Sequence, residues 1–171
     1  MQTSETFFRA APLSGVIRGI TIFSLLLFAV LAVVIWSKPV SSPIPTLTVA
    51  FFMLIFGITY LFGVTGYELQ GTQLIVYRRI GPKIFSLRTL VKAYADSHAL
   101  RGSLRVMGNG GLFCFCGWFW NRRLGLYRVY VTNLRRCVVL VRTDRTLVIS
   151  PEDPQRFLDA LQRVRLFSLE K

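Results

Sequence analysis

His98, the only histidine in the chain, follows Asp96 and Ser97, and these residue types could supply a base, an acid and a nucleophile. Three residues adjacent in sequence rarely converge in that geometry, so the sequence predicts a surface or packing role for His98. Cys114, Cys116 and Cys137 are the next candidates. Cys-x-Cys places two thiols on one face of a strand, and Cys137 with His98 could complete a tetrahedral metal site. The usual Cys-x-x-Cys spacing is missing, however, and Leu112-Phe-Cys-Phe-Cys116 is strongly apolar. Free cysteines are among the most buried residue types, so core positions are expected. The odd count argues against a disulfide framework. Gly108-Asn-Gly-Gly111 could cradle a phosphate with its backbone N–H groups. No helix rich in Lys, Ser or Thr follows, and the expectation is a turn or a bulge. No P-loop, dinucleotide fingerprint or metalloprotease motif occurs. The sequence therefore predicts no catalytic residue, no metal site and no cofactor.

The remaining chemistry is electrostatic. Arginines come in doublets, Arg78-Arg79, Arg122-Arg123 and Arg135-Arg136, with Arg142 and Arg145 nearby. They are candidates for contact with anionic lipid headgroups or an acidic partner, each worth ~1 kcal/mol near an anionic leaflet. Trp118 and Trp120 precede Asn121-Arg-Arg123, so apolar anchors and cations sit side by side. With Trp36 they are candidates for a membrane–water interface, where Trp is favoured. Nucleic acid is electrostatically possible, but no groove-reading helix or stacking motif supports it.

These side chains must be held by a chain of 171 residues, 53% apolar and only 17% charged, with 21 Lys and Arg against 8 Asp and Glu. Such a composition excludes disorder and disfavours a soluble enzyme. Residues 20–36 and 47–64 carry no charge and read as two membrane spans. Ser37–Thr46, a short loop with three prolines, makes them a hairpin. Arg9 and Arg18 precede the first span, Lys38 alone lies between the spans, and Arg78, Arg79 and Lys83 follow the second. By the positive-inside rule both termini are expected in the cytoplasm, which makes this a multi-pass protein of a bacterial inner membrane. Gly57, Gly63 and Gly66, placed on or next to the second span, would allow close approach of a partner helix.

From Tyr67 to Lys171 the pattern changes to short apolar runs broken by Gly, Pro and Asn, with 18 Lys and Arg against 7 Asp and Glu. Strands are predicted at 67–69, 73–79, 83–87, 90–94, 126–132, 137–142 and 146–149. About seven antiparallel strands with tight turns predict an all-β barrel or sandwich. A helix follows, starting at Ser150-Pro151 or at Asp153-Pro154, with Phe157, Leu158, Leu161 and Val164 on one face. It is expected to plug an open end of the barrel. The expected organisation is a tail and membrane hairpin over 1–66 and one cytoplasmic domain over 67–171.

Gly108-Asn-Gly-Gly111, Gly117-Trp-Phe119, Gly125 with Tyr130-Val-Thr132, and Ile149-Ser-Pro-Glu-Asp-Pro-Gln-Arg-Phe157 together resemble a bacterial pleckstrin-homology (PH)-like domain protein. The resemblance covers residues 67 to about 165. It implies a seven-stranded barrel capped by a C-terminal helix and says little about activity. In phosphoinositide-binding PH domains the loop between the first two strands is basic, whereas here it is Gln70-Gly71-Thr72, short and uncharged. The resemblance therefore carries no inositol phosphate pocket to this chain. The function expected is a non-catalytic, membrane-anchored scaffold or adaptor that binds anionic lipid headgroups or protein partners, the partner being a membrane protein or a further copy of the chain in a homo-oligomer. The alternatives are an accessory subunit of a transporter or envelope-stress complex and, with least support, a membrane enzyme.

Overall fold

The structure is a computed structural model and describes residues 6–37 and 43–169. The centre of the proline-rich loop, residues 38–42, lies outside the described residues. Two long helices come early in the chain. Helix α1 spans Gly15–Trp36 and α2 spans Ile44–Leu61. At ~1.5 Å per residue they are about 33 and 27 Å long, and both are apolar enough to cross a membrane. Their apolar side chains are exposed nearly all round, which suits lipid and not a protein core. Phe28 packs on Phe52 and Phe56 to join the pair.

Helix α1 ends where the expected first span ends but starts earlier, and α2 lies nearer the N-terminus than the expected second span. Ser14 caps α1 by accepting the Ile17 N–H, so the helix starts before Arg18. Helix α2 begins with Pro45 in its first turn and ends at Leu61. Gly63 and Gly66 therefore leave the span, and each is accounted for within the chain. A Cβ on Gly63 would meet the Arg79 guanidinium, and one on Gly66 would meet the Phe7 ring.

Among the described residues there are ten strands in two open sheets. The first sheet is antiparallel, ordered β1 (Thr6–Arg9), β2 (Val64–Gln70), β3 (Gln73–Arg78), β4 (Lys83–Ser86). The second is ordered β5 (Leu90–Ala95), β9 (Val138–Arg142), β10 (Leu147–Ile149), β8 (Gly125–Val131), β7 (Phe115–Asn121), β6 (Leu104–Gly110). Its β10–β8 pair is parallel, because the β9–β10 hairpin inserts between β5 and β8.

The expectation of a closed, seven-stranded barrel is thus corrected. The seven predicted strands exist, but β1, β6 and β7 join them and the sheets do not close. At the gap, Arg142 Nη1 donates to the Ser86 carbonyl at 3.0 Å, so a side chain takes a β4 acceptor that a closing strand would otherwise use.

Strand β1 comes from the tail ahead of the two long apolar helices and pairs with β2 beyond them, Phe8 opposite Tyr67. The tail then crosses to the second sheet, where Ala11 N–H donates to Ser150 O and Thr132 Oγ1 donates to Ala11 O. The main core lies between the sheets and includes Tyr67, Leu69, Leu74, Val76, Leu140 and Ile149. Helix α3 (Pro154–Leu169) adds Phe157 and Leu161 to it, with Phe157 edge-on to Phe8. Of the two predicted starts, the structure takes the second: Asp153 accepts the Gln155 and Arg156 N–H groups. A smaller core on the outer face of the second sheet, with Phe119, Tyr127, Val129 and Val139, is covered by the segment from 96 to 103.

Candidate functional site

The residue types that suggested catalysis do not assemble. Asp96 Oδ1 accepts the His98 backbone N–H at 2.8 Å, and its other oxygen pairs with Arg123. The carboxylate therefore closes a turn and does not orient the imidazole, which is exposed. Cys114 and Cys116 point into the main core beside the Phe62 carbonyl, with their sulfurs 2.7 Å apart. Cys137 lies in the other core. The sheet thus separates the thiols, and no group of three or more potential ligands forms among the described residues. The thiol–thiol hydrogen bond and burial raise the Cys116 pKa, and burial raises that of Cys137 to about 12.

The glycine run is a strand end and turn. Gly108 pairs with Gly117, both at positive φ, and the backbones approach so closely that a Cβ on either would lie 2.2–2.3 Å from a carbonyl oxygen. The turn beyond it receives the two long apolar helices. Thr21 Oγ1 accepts the Phe113 N–H at 3.1 Å, Ile20 packs on Gly111, and Tyr60 meets the Phe113 ring.

The arginine doublets fall in three places. Arg78 and Arg79 begin the β3–β4 turn at the end of α2. There Ile80 N–H donates to Leu61 O, Arg78 lies over the Phe62 ring and Arg79 over the Tyr60 ring at 4.2 Å. Arg135 and Arg136 occupy the β8–β9 loop, exposed, near the start of α1. In that loop Asn133 Nδ2 donates to Pro12 O and Arg136 donates to Glu152 O. Arg122 and Arg123 sit in the β7–β8 turn, at the opposite end of β7 from the helix-contacting turn.

The tryptophans also separate. Trp36 is exposed at the last residue of α1. Trp120 is exposed between Leu104 and Leu126 in a cross-strand apolar row. It lies five residues along β7 from Phe115, about 17 Å at ~3.3 Å per residue. Trp118 is half-buried and carries two guanidinium groups, Arg128 at 4.4 Å and Arg145 at 4.8 Å from its ring.

Those two arginines belong to a basic groove that the sequence did not reveal as a unit. It runs between the unpaired edge of β4 and the uncovered part of the second sheet, with a volume of about 570 Å³. Its walls carry Lys83, Arg128, Arg142 and Arg145, with Trp118, Ile84 and Thr146 between them. Arg142 is committed: it holds Asp144 at 2.8 Å and donates to the Arg145 and Ser86 carbonyls. Burial works to raise the Asp144 pKa, but Arg142 and the Thr89 hydroxyl outweigh it and keep the carboxylate ionised. The Lys83 pKa is lowered by burial and by the facing charges of Arg128 and Arg78. The only ion pairs among the described residues are Arg123–Asp96 and Arg142–Asp144, so Lys83, Arg128 and Arg145 have no carboxylate. The available signal was weak: Arg128 shares one face of β8 with Leu126 and Tyr130, and register alone brings it beside Trp118.

Residues 65–165, more than half of the chain, match the family model described as bacterial PH domain, and the chain belongs to that family. No curated protein and no solved structure gives a match.

Proposed function

We propose that this member of the bacterial PH domain family is a non-catalytic binding module, held by its two helices at the inner face of a bacterial membrane. The helix-proximal doublets Arg78-Arg79 and Arg135-Arg136 engage anionic lipid headgroups there, and the rest of the domain stays free for a protein partner. The observation that carries the reading is Arg79 stacked on Tyr60, where a membrane-length helix passes directly into the domain. An aromatic ring and a cation at such a helix end suit the headgroup layer. The β1–β2 pairing supports placing both hairpin ends on one membrane side, since it joins the segments flanking the hairpin in one sheet. In this reading the domain is already tethered, so its charges orient it and do not recruit it.

Native mass spectrometry of the full-length protein tests this. Phosphatidylglycerol should be retained over phosphatidylcholine, and Arg79→Gln with Arg135→Gln and Arg136→Gln should remove the preference. Equal retention of both lipids would sink the lipid reading. A reporter fused to the C-terminus checks the cytoplasmic assignment independently, through fluorescence of a cytoplasmic fluorescent protein or activity of a periplasmic phosphatase.

A further inference from the structure

None of the doublet arginines lines the basic groove, although Arg78 faces its Lys83, and the groove's chemistry points to a ligand of a particular class. Lys83, Arg128 and Arg145 converge on one space with no carboxylate partner among the described residues, while the acid in the groove wall, Asp144, is occupied by Arg142. Like charges brought together this way repel, and an anion between them offsets the cost. The guanidinium groups of Arg128 and Arg145 are also ordered before any ligand arrives, because both rest on the Trp118 ring. A planar guanidinium in a fixed position offers paired N–H donors at the spacing of phosphate oxygens, and Lys83 adds a point charge. Thr146 and Ser86 supply neutral polar groups on the walls. The groove, about 570 Å³ and open to solvent, has room for a phosphate-bearing group.

We infer that this groove is a binding site for a phosphate-bearing ligand, held by Lys83, Arg128 and Arg145 around Trp118. The phosphate can arrive on a free molecule or on a lipid headgroup. Lys83 starts β4 just after the turn that contacts the end of α2, so the groove opens close to where headgroups would lie. The site does not depend on the doublets and stands even if they bind no lipid.

The test is calorimetric titration of inorganic diphosphate into the full-length protein in phosphatidylcholine nanodiscs. Binding is expected, weakened at least tenfold by Arg128→Gln and by Arg145→Gln and unchanged by Arg122→Gln. Arg145 is an exposed turn residue, so its replacement leaves the fold intact even if that of Arg128 does not. A second arm replaces part of the phosphatidylcholine with phosphatidic acid, and a third uses phosphatidylglycerol at equal surface charge. Weaker diphosphate binding with phosphatidic acid alone assigns the groove to a phosphomonoester headgroup, and equal binding in all discs assigns it to a soluble phosphate. Absence of diphosphate binding, or binding indifferent to both groove substitutions, overturns the inference. Loss of phosphatidylglycerol retention in the doublet variants with diphosphate binding intact separates this site from the lipid contact above.

Discussion

The hydroxyl of Thr132 donates to the carbonyl of Ala11 at 2.6 Å, a contact between residues 121 positions apart with both membrane-length helices between them. Ser150 Oγ completes the junction by accepting the Thr132 N–H at 2.8 Å. The tail ahead of α1 is therefore built into the domain that follows α2. Replacing Thr132 with Val keeps the shape and removes the donor, leaving a buried carbonyl unmet at a cost of ~1–3 kcal/mol. The expected outcome is a lower thermal midpoint for the full chain in detergent and faster proteolysis before residue 15. An unchanged digestion pattern would mean that strand β1 alone holds the tail.

Tyr67 occupies the same region of the core. Its hydroxyl donates to Tyr130 O at 2.7 Å and accepts the Ser150 N–H at 3.1 Å, while its ring is fully buried. Tyr67→Phe keeps the packing and strands both backbone groups, so a loss of ~1–3 kcal/mol is expected in denaturant unfolding. A neutral result would contradict this hydrogen-bond assignment.

Gly108→Ala and Gly117→Ala each force a methyl onto backbone that cannot yield as a side chain could, at a φ that disfavours any Cβ. Either should cost more than ~2 kcal/mol or prevent folding of the β6–β7 hairpin. Gly57→Ala in α2 meets nothing within 4 Å and serves as the control, with stability expected to hold or rise by up to ~1 kcal/mol because Ala is the better helix former.

Cys137 makes the fold sensitive to alkali. Burial raises its pKa from 9.0 to about 12, so the folded state holds a proton that the unfolded state releases. Its contribution is fully present below pH 9 and is lost as pH rises from there toward 12. Thermal midpoints measured across that window should fall less steeply in Cys137→Ala than in the parent chain. At pH 8 the native thiol should resist iodoacetamide and react once the protein is denatured; rapid native labelling would place it at the surface.

Much of this architecture is legible locally. The uncharged stretches that form α1 and α2, the short apolar runs of β3, β8 and β9, and the Asp153 cap of α3 are patterns over neighbouring residues, legible without any long-range contact. Strand β6 escaped notice because Arg105-Val-Met-Gly-Asn-Gly110 is an exposed edge with no buried alternation. Strand β1 escaped because four residues in a tail carry no pattern long enough to read, and their partner lies beyond both helices.

Sequence alone determined that the chain has two membrane-length apolar helices, a basic β-rich domain of this family and no local catalytic motif. Tertiary structure decided which charges meet. The doublets, adjacent in sequence, end in three different places. Lys83, Arg128 and Arg145 come together from β4, β8 and the β9–β10 turn. The physical reason is that side-chain neighbours across a groove are set by strand register and by how two sheets stack. Both are summed over long-range pairings that no short stretch of residues encodes.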